Sequence, residues 1–246
     1  MLRREVSSCW KCKSSLRRRS VVNALSNALF GESLPIRNFQ KNNRKGIGFS
    51  HNVSVARRVQ SKLDFWNTFY HKEPHFDILS IDDEHIGSFD YAICCEVLEH
   101  VVQPVKNATE GIHSLLKEGG FVIITVPYNS GGKQDGETVE HFPELHDFEL
   151  KEVNVRHQQR GFQKSQVLFN TTNDGEKQEF TNLAFHGSDG LNLEMRQFTK
   201  NSLKSLLLES GFSKVEEFGA DFSHFGIEFL GEFEGQVDKQ PIIAWK

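Results

Sequence analysis

The chain is poor in cysteine and has no long apolar run. Of its four cysteines, Cys94 and Cys95 are adjacent and cannot join distant segments. Only Cys9 and Cys12 remain, so there is no disulfide framework. Phe121–Pro127, one of the most apolar stretches, falls well short of the roughly 18 residues of a membrane span. The N-terminus also lacks the apolar segment of a secretory signal, and together these absences predict a cytoplasmic protein without a transmembrane helix.

The formal net charge of −4 hides an uneven distribution. Residues 1–62 contain 14 Lys and Arg but two Glu, a balance of +12, whereas residues 63–246 contain 15 basic and 31 acidic residues, a balance of −16. The basic lead-in, residues 1–20, is not interleaved with aromatic residues in the pattern of RNA-binding segments. We interpret it as a solvated face or as a contact to the acidic remainder, and expect no nucleic-acid partner.

The middle of the chain has the pattern of alternating strands and helices. Residues 47–49 suit a short strand, and Asn52 is placed to cap a helix after it. Phe89–Cys95 is a nearly continuous apolar run, typical of a parallel strand covered on both faces. A helix from Pro104 to Lys117 and a strand over Phe121–Val126 follow. A strand, helix and strand with short connections predict an α/β fold with a mostly parallel sheet.

The second half predicts an insertion and a return to the sheet. Glycine-rich turns and short apolar segments occupy about residues 129–197, with a hairpin signal at Asn173-Asp-Gly175. Thr199 is placed to cap a helix, and Val215–Phe218 and Ile242–Trp245 suit final strands. We therefore predict one main domain, residues 21–246, that carries an inserted β-hairpin and loop region.

Ligands of an open parallel sheet bind beyond the carboxyl ends of its strands. Glu96, Glu99 and His100 follow directly after the Phe89–Cys95 strand and are the first candidates for a site. An alternative is that Glu99 and His100 form a surface pair that caps the next helix.

The same residues carry a family resemblance. Phe89–His100, Pro104 and Leu115–Pro127 resemble the middle of a class I S-adenosylmethionine-dependent methyltransferase. In that family the fourth strand begins with Phe-Asp, ends in a Glu-His turn, and leads through a helix ending in Leu-Lys-x-Gly-Gly into the fifth strand. The resemblance covers about 40 contiguous residues and implies a Rossmann-like fold with helices on both faces. Residues 141–147, 185–187 and 193–196 are similar to a bacterial branch associated with sugar and glycan modification.

The resemblance implies roles for matching positions. Asp77 resembles the acidic residue that accepts a hydrogen bond from the adenine amino group of S-adenosylmethionine, and Ile78 would pack near the adenine ring. Glu96 would line the methionine end, where a carboxylate suits the sulfonium and ammonium charges. A plain turn residue after Pro74 is the alternative for Asp77.

One part of the sequence departs from the family pattern. The chain has no Gly-x-Gly-x-x-Gly, and His51 stands where the similar branch tends to have an aspartate beside the ribose. Gly46 and Gly48 are the candidates for a shortened cofactor loop, although a plain tight turn explains them as well. The alternative to an active enzyme is a degenerate methyltransferase fold that acts as a binding or scaffold module.

Histidine is the natural general base near neutral pH. His141 is our first candidate because it follows the loop after the fifth strand, which usually covers the acceptor, and His100 is the second; His146 and His186 are further candidates. The sequence thus predicts methyl transfer from S-adenosylmethionine to a small-molecule or glycan acceptor.

Cys9 and Cys12 have the spacing of half a zinc site, but no second pair completes the four ligands, so no bound metal is predicted.

Overall fold

The computed structural model describes residues 9, 14–102, 104–128, 136–157, 161–186, 192–219 and 240–246, so that Cys12 lies outside the described residues. The helices are α1 (Leu16–Phe30), α2 (Val53–Gln60), α3 (Val105–Leu115) and α4 (Lys200–Glu209). The strands are β1 (Lys45–Phe49), β2 (Asp64–Thr68), β3 (Phe89–Cys95), β4 (Leu116–Thr125), β5 (Val139–Glu140), β6 (Asp147–His157), β7 (Gly161–Thr171), β8 (Lys177–Phe180), β9 (Phe185–His186), β10 (Asn192–Leu193), β11 (Arg196–Gln197), β12 (Lys214–Glu217) and β13 (Ile242–Trp245). Among these residues no helix has the length and apolar character to cross a membrane.

A six-stranded sheet forms the centre of the fold, in the order β12-β13-β4-β3-β1-β2. Four neighbouring strands, β4, β3, β1 and β2, are parallel to one another. At the β4 edge, β13 and then β12 are added antiparallel. The predicted α/β fold with a mostly parallel, Rossmann-like sheet is therefore confirmed.

Helices cover both faces of this sheet. Ala92 and Cys94 of β3 pack in one apolar cluster with α3 and α4, while Tyr91, Ile93 and Cys95 pack in another with α1 and α2. Successive side chains of a strand point to opposite faces, so residues 91–95 of β3 must all be apolar to serve both clusters. This explains the continuous apolar run in the sequence.

The structure differs from the sequence prediction at the end of the basic lead-in and at the end of α3. α1 begins at Leu16, capped by the Ser15 side chain, so that residues 16–20 of the predicted lead-in are helical. α3 ends at Leu115 and not at Lys117, because Leu116 already has extended backbone and pairs with Phe89 of β3. The two glycines at 119 and 120 consequently lie inside β4, at a shift in its register, and do not end the helix.

The segment between β4 and α4 contains the predicted hairpin. β7 and β8 pair antiparallel around residues 173–175, and β6 adds a third strand to this small sheet. A separate apolar cluster around Phe142, Leu168 and Met195 supports it. The short pairs β5–β11 and β9–β10 complete the segment. Its chain ends return to the central sheet near the carboxyl ends of β3 and β4, where the bridge between Tyr128 and Phe198 forms.

Candidate active site

Between β1 and β3, the order in which the chain adds strands to the sheet reverses. From β1 the chain continues to β2 on one side, while β3 and β4 lie on the other, which makes this a topological switch point. Ser50 and Glu96, the residues directly after β1 and β3, have φ values of 57° and 56°. Such left-handed backbone is uncommon for residues other than glycine and costs about 1–3 kcal/mol, and it concentrates at functional sites.

Glu96 is held at the carboxyl end of β3 by the neighbouring strand. Its N–H donates to the Thr125 carbonyl at 2.8 Å, and its carboxylate accepts the Thr125 hydroxyl at 3.0 Å. The side chain is half-buried, so the carboxylate is placed at the switch point in a partly dry environment. This is the position at which the sequence predicts contact with the cationic end of the cofactor.

The two predicted loop glycines lie within β1, not in the turn after it. A Cβ atom at Gly46 would lie 2.1 Å from the Tyr91 ring, and one at Gly48 would lie 2.3 Å from the Phe65 ring and 2.6 Å from the His51 ring. Both glycines are therefore explained by side-chain rings that occupy the space over them. Their predicted contact with a cofactor remains untested, and the strand location is a correction to the shortened loop expected there.

His51 occupies the turn after β1. Its ring Nε2–H donates to the Ile93 carbonyl at 3.0 Å, and its backbone N–H and carbonyl bond to the Asn67 side chain at 3.2 and 3.1 Å. Burial, with a smaller contribution from the charge of Arg17, lowers the pKa of His51 from 6.5 to about 4. A neutral imidazole thus takes the place where the resemblance leads one to expect a ribose-binding carboxylate.

Asp77 is half-buried in a turn, and Ile78 is buried. The Asp77 carboxylate accepts the Leu79 N–H at 2.9 Å, which is the turn role considered as the alternative. No strand occurs between β2 and β3, so Asp77 follows the isolated bridge between Phe69 and His75 and not a third parallel strand. Ile78 packs in the apolar cluster beneath α3.

Five histidine and glutamate side chains meet beside Glu96, and we call them the histidine–glutamate cluster: Glu99, His100, His141, His186 and Glu194. Glu194 is 3% exposed and accepts hydrogen bonds from His141 Nε2 at 2.9 Å and from His186 Nε2 at 3.0 Å. The His100 and His186 rings lie 5.7 Å apart, edge to face. Glu99 is fully buried, with an oxygen 3.7 Å from His100 Nε2. The structure thus brings both predicted bases together and excludes the surface-pair interpretation of Glu99.

His100 is fixed by the inserted segment. Its Nδ1 lies 2.8 Å from the Leu193 carbonyl, which can only accept, so Nδ1 carries the hydrogen. Burial lowers the pKa of His100, and this outweighs the opposing effects of the Leu193 carbonyl and of the Glu194 and Glu96 carboxylates. The Glu96 carboxylate is close enough to favour the protonated form of His100 and so to raise its pKa. The histidine–glutamate cluster therefore lies next to the switch point.

Arg196 ties the inserted segment to the turn after β3. Its guanidinium is fully buried, pairs with Glu140 at 2.7 Å, and donates to the Leu98 and Val101 carbonyls at 2.7 and 2.5 Å. The Met195 N–H adds a bond to the Glu99 carbonyl at 2.7 Å. Sequence reasoning missed the roles of Glu194 and Arg196, although residues 193–196 carried part of the family resemblance; their charge in an otherwise apolar segment was the available signal.

A small cavity of about 30 Å³ lies between α1, α2 and the sheet, on the side of His51 and away from the histidine–glutamate cluster. It is lined mainly by apolar side chains of both helices, together with Arg17 and Arg18. A volume near that of one water molecule does not hold a nucleoside. We therefore base the candidate site on the strand ends and the histidine–glutamate cluster.

The sheet and its switch point define the class of the protein as an α/β protein of Rossmann-like fold. Residues 45–122 match the family model described as a methyltransferase domain, a range that runs from β1 into β4 and includes Asp77, Glu96 and His100. About a third of the chain is thus similar to a methyltransferase domain, in agreement with the resemblance. No curated protein sequence matches the chain.

Solved structures with a similar fold are distant in sequence. An S-adenosylmethionine-dependent methyltransferase from Clostridium acetobutylicum is 11% identical over 96% of this chain and 92% of its own, with a TM-score of 0.49. An amino pentose methyltransferase from Micromonospora echinaspora is 12% identical over 96% and 94%, with a TM-score of 0.47. The 1,6-didemethyltoxoflavin-N1-methyltransferase of Burkholderia thailandensis is 12% identical over 94% and 78%, with a TM-score of 0.46. Likenesses this distant carry no information about the acceptor.

Proposed function

We propose that this chain transfers a methyl group from S-adenosylmethionine to a hydroxyl or amine of a small molecule, with a sugar or glycan as the favoured acceptor. The observation that carries the proposal is the His141–Glu194 pair in the histidine–glutamate cluster, beside the strained end of β3. The sugar or glycan acceptor rests on the resemblance of residues 141–147, 185–187 and 193–196 to a branch associated with such substrates.

The residues at the strand ends suit the cofactor in part. The half-buried Glu96 carboxylate and the second oxygen of Asp77 offer acceptors for its ammonium and amino groups, whereas Gly46 and Gly48 are covered by rings. S-Adenosylmethionine supplies, when bound, a methyl group already activated by the sulfonium charge. The protein therefore contributes mainly alignment, exclusion of water and removal of the acceptor proton.

His141 is the proposed general base. An ionised Glu194 can only accept, so the His141 Nε2 that bonds it carries the hydrogen and Nδ1 keeps the lone pair. The His141 side chain is 28% exposed, which leaves it accessible to an acceptor, while Glu194 beneath it is buried. Glu194 acts as a positioning residue that holds the ring and stabilises the imidazolium formed by proton transfer.

Two measurements test this function. Calorimetry with S-adenosylhomocysteine should show binding, and Glu96→Gln should weaken it by roughly tenfold, about 1.4 kcal/mol, because one charge-assisted contact is lost.

With tritiated S-adenosylmethionine and a panel of amino sugars, glycosides and phenols, His141→Gln should lower kcat at least tenfold without changing cofactor affinity. His71→Gln, on an exposed loop, is the control for both. Absence of cofactor binding at millimolar concentration would refute the proposal.

A second candidate function has its own support. The rings over Gly46 and Gly48, and His51 in the turn after β1, favour a degenerate fold that serves as a binding module. This alternative predicts no affinity for S-adenosylhomocysteine and an unchanged cellular role in the Asp77→Ala, Glu96→Ala double variant. The same calorimetry distinguishes it from the enzyme.

A further inference from the structure

The geometry points to a divalent transition-metal site formed by Glu99, His100 and His186, which we propose here as a function of the histidine–glutamate cluster that the methyltransferase fold does not require. One carboxylate oxygen of Glu99 and one ring nitrogen of each histidine lie within 4.8 Å of one another. A tetrahedral ion with bonds of about 2.1 Å needs separations of about 3.4 Å between its ligands, so a small contraction completes the site.

The hydrogen bonds of both histidines leave a lone pair available. His100 Nδ1–H donates to the Leu193 carbonyl, so in the neutral ring Nε2 carries the lone pair, and this atom lies 3.7 Å from the Glu99 carboxylate. His186 donates its Nε2–H to Glu194, which leaves the lone pair on Nδ1. In metal sites the second ring nitrogen of a ligating histidine almost always donates to a carbonyl or a carboxylate, as both do here.

The charges of the cluster also favour a cation. Glu99 and Glu194 are 0% and 3% exposed, and a buried carboxylate is costly unless a positive charge compensates it. A divalent ion between Glu99 and the two histidines would balance the two carboxylates.

The ligand set indicates the class of ion. Two imidazoles with one carboxylate suit Zn²⁺, Fe²⁺ or Co²⁺ better than Ca²⁺ or Mg²⁺, which prefer oxygen ligands alone. Three protein ligands leave at least one coordination position open. An oxygen of the acceptor would take that position, next to the turn that begins after Glu96. This role in acceptor binding rests on the proposed function, whereas the metal site itself does not.

Direct metal binding tests the proposal. The full chain, with any purification tag removed, carries Cys9→Ser and Cys12→Ser so that the N-terminal cysteine pair cannot bind the ion. After dialysis against EDTA, it is titrated with Zn²⁺ by calorimetry and with Co²⁺ by visible absorption. We expect one equivalent of metal and a cobalt ligand-field band.

Variants locate the site. His186→Ala, whose side chain is 40% exposed and therefore tolerates truncation, should weaken zinc binding at least tenfold. His146→Ala, an exposed histidine of the same segment, should leave zinc binding unchanged. Absence of stoichiometric metal, or equal affinity in His186→Ala and the parent, would overturn the proposal. S-Adenosylhomocysteine binding, measured on the metal-free chain, shows separately whether the proposed function fails.

Discussion

At the scale of single residues, the site contains residues whose backbone or charge state is unfavourable by itself. Ser50 and Glu96 have left-handed backbone, and burial, with a smaller contribution from the charge of Arg17, keeps His51 neutral by lowering its pKa. Each of these states is unfavourable by itself and persists because packing and hydrogen bonds of the surrounding sheet hold it in place. Of the three non-glycine residues with left-handed backbone in the described part of the chain, two lie with His51 at adjacent strand ends, which indicates that this edge of the sheet serves binding.

His51 makes stability depend on pH in a defined direction. Because its pKa is lowered from 6.5 to about 4, the unfolded chain binds a proton that the folded chain does not. The stability is complete above about pH 6.5 and falls as the pH decreases toward 4, by at most about 1.4 kcal/mol per pH unit. Urea unfolding at pH 7, 5.5 and 4.5 measures this, and His51→Gln should flatten the dependence.

The matched control for His51 is His71→Gln, an exposed histidine of the loop after β2. It should retain the pH dependence of the parent chain. An equal dependence in His51→Gln and the parent would show that His51 is not the group responsible.

Single residues show clearly where sequence reasoning succeeds. Asn52 and Thr199 were predicted as helix caps, and both accept backbone N–H bonds from their own first turns. A cap is satisfied within three residues, so local sequence suffices. The sequence predicts a shortened loop at Gly46 and Gly48, whereas both lie in β1 beneath aromatic rings. The Tyr91 and Phe65 rings come from neighbouring strands, and no local pattern reveals such contacts.

At the scale of elements, the inserted segment and the turn after β3 form one unit. β5 and β11 pair, Arg196 of β11 bonds carbonyls of that turn, and Leu193 of β10 holds His100. The histidine–glutamate cluster therefore exists only while these elements remain docked together.

Arg196 should be the most sensitive residue of this junction. Arg196→Met leaves Glu140 and two turn carbonyls without their buried partner and should lower the free energy of unfolding by about 3–5 kcal/mol, measured by urea denaturation. Lys204→Met removes a half-exposed ion pair with Glu217 and should cost no more than about 1 kcal/mol. Equal losses in the two variants would contradict the role assigned to Arg196.

At the scale of the whole molecule, two apolar clusters cover the central sheet and a third, smaller one supports β6–β8. The strands β1, β3 and β4 lie in the middle of the sheet, whereas β6–β8 pair only with one another. Stability should therefore differ between the two parts of the fold.

Hydrogen exchange under native conditions measures this difference. Amides of β3 and β4 should exchange only through global unfolding, while those of β6–β8 should exchange through a local opening of lower free energy, at least tenfold faster. Mass spectrometry of peptides at increasing urea separates the two processes. Equal opening free energies would indicate that the segment and the sheet unfold together.

Local sequence patterns specify the α/β class, the strands β1, β3 and β13, the hairpin at residues 173–175 and the helix caps. These features follow from apolar periodicity and turn chemistry within a few residues. The meeting of Glu99 and His100 with three residues of the inserted segment, His141, His186 and Glu194, depends on tertiary packing. Strand order and the docking of that segment bring these distant parts of the chain together. Pairwise contacts of this kind leave no period or spacing in a single sequence.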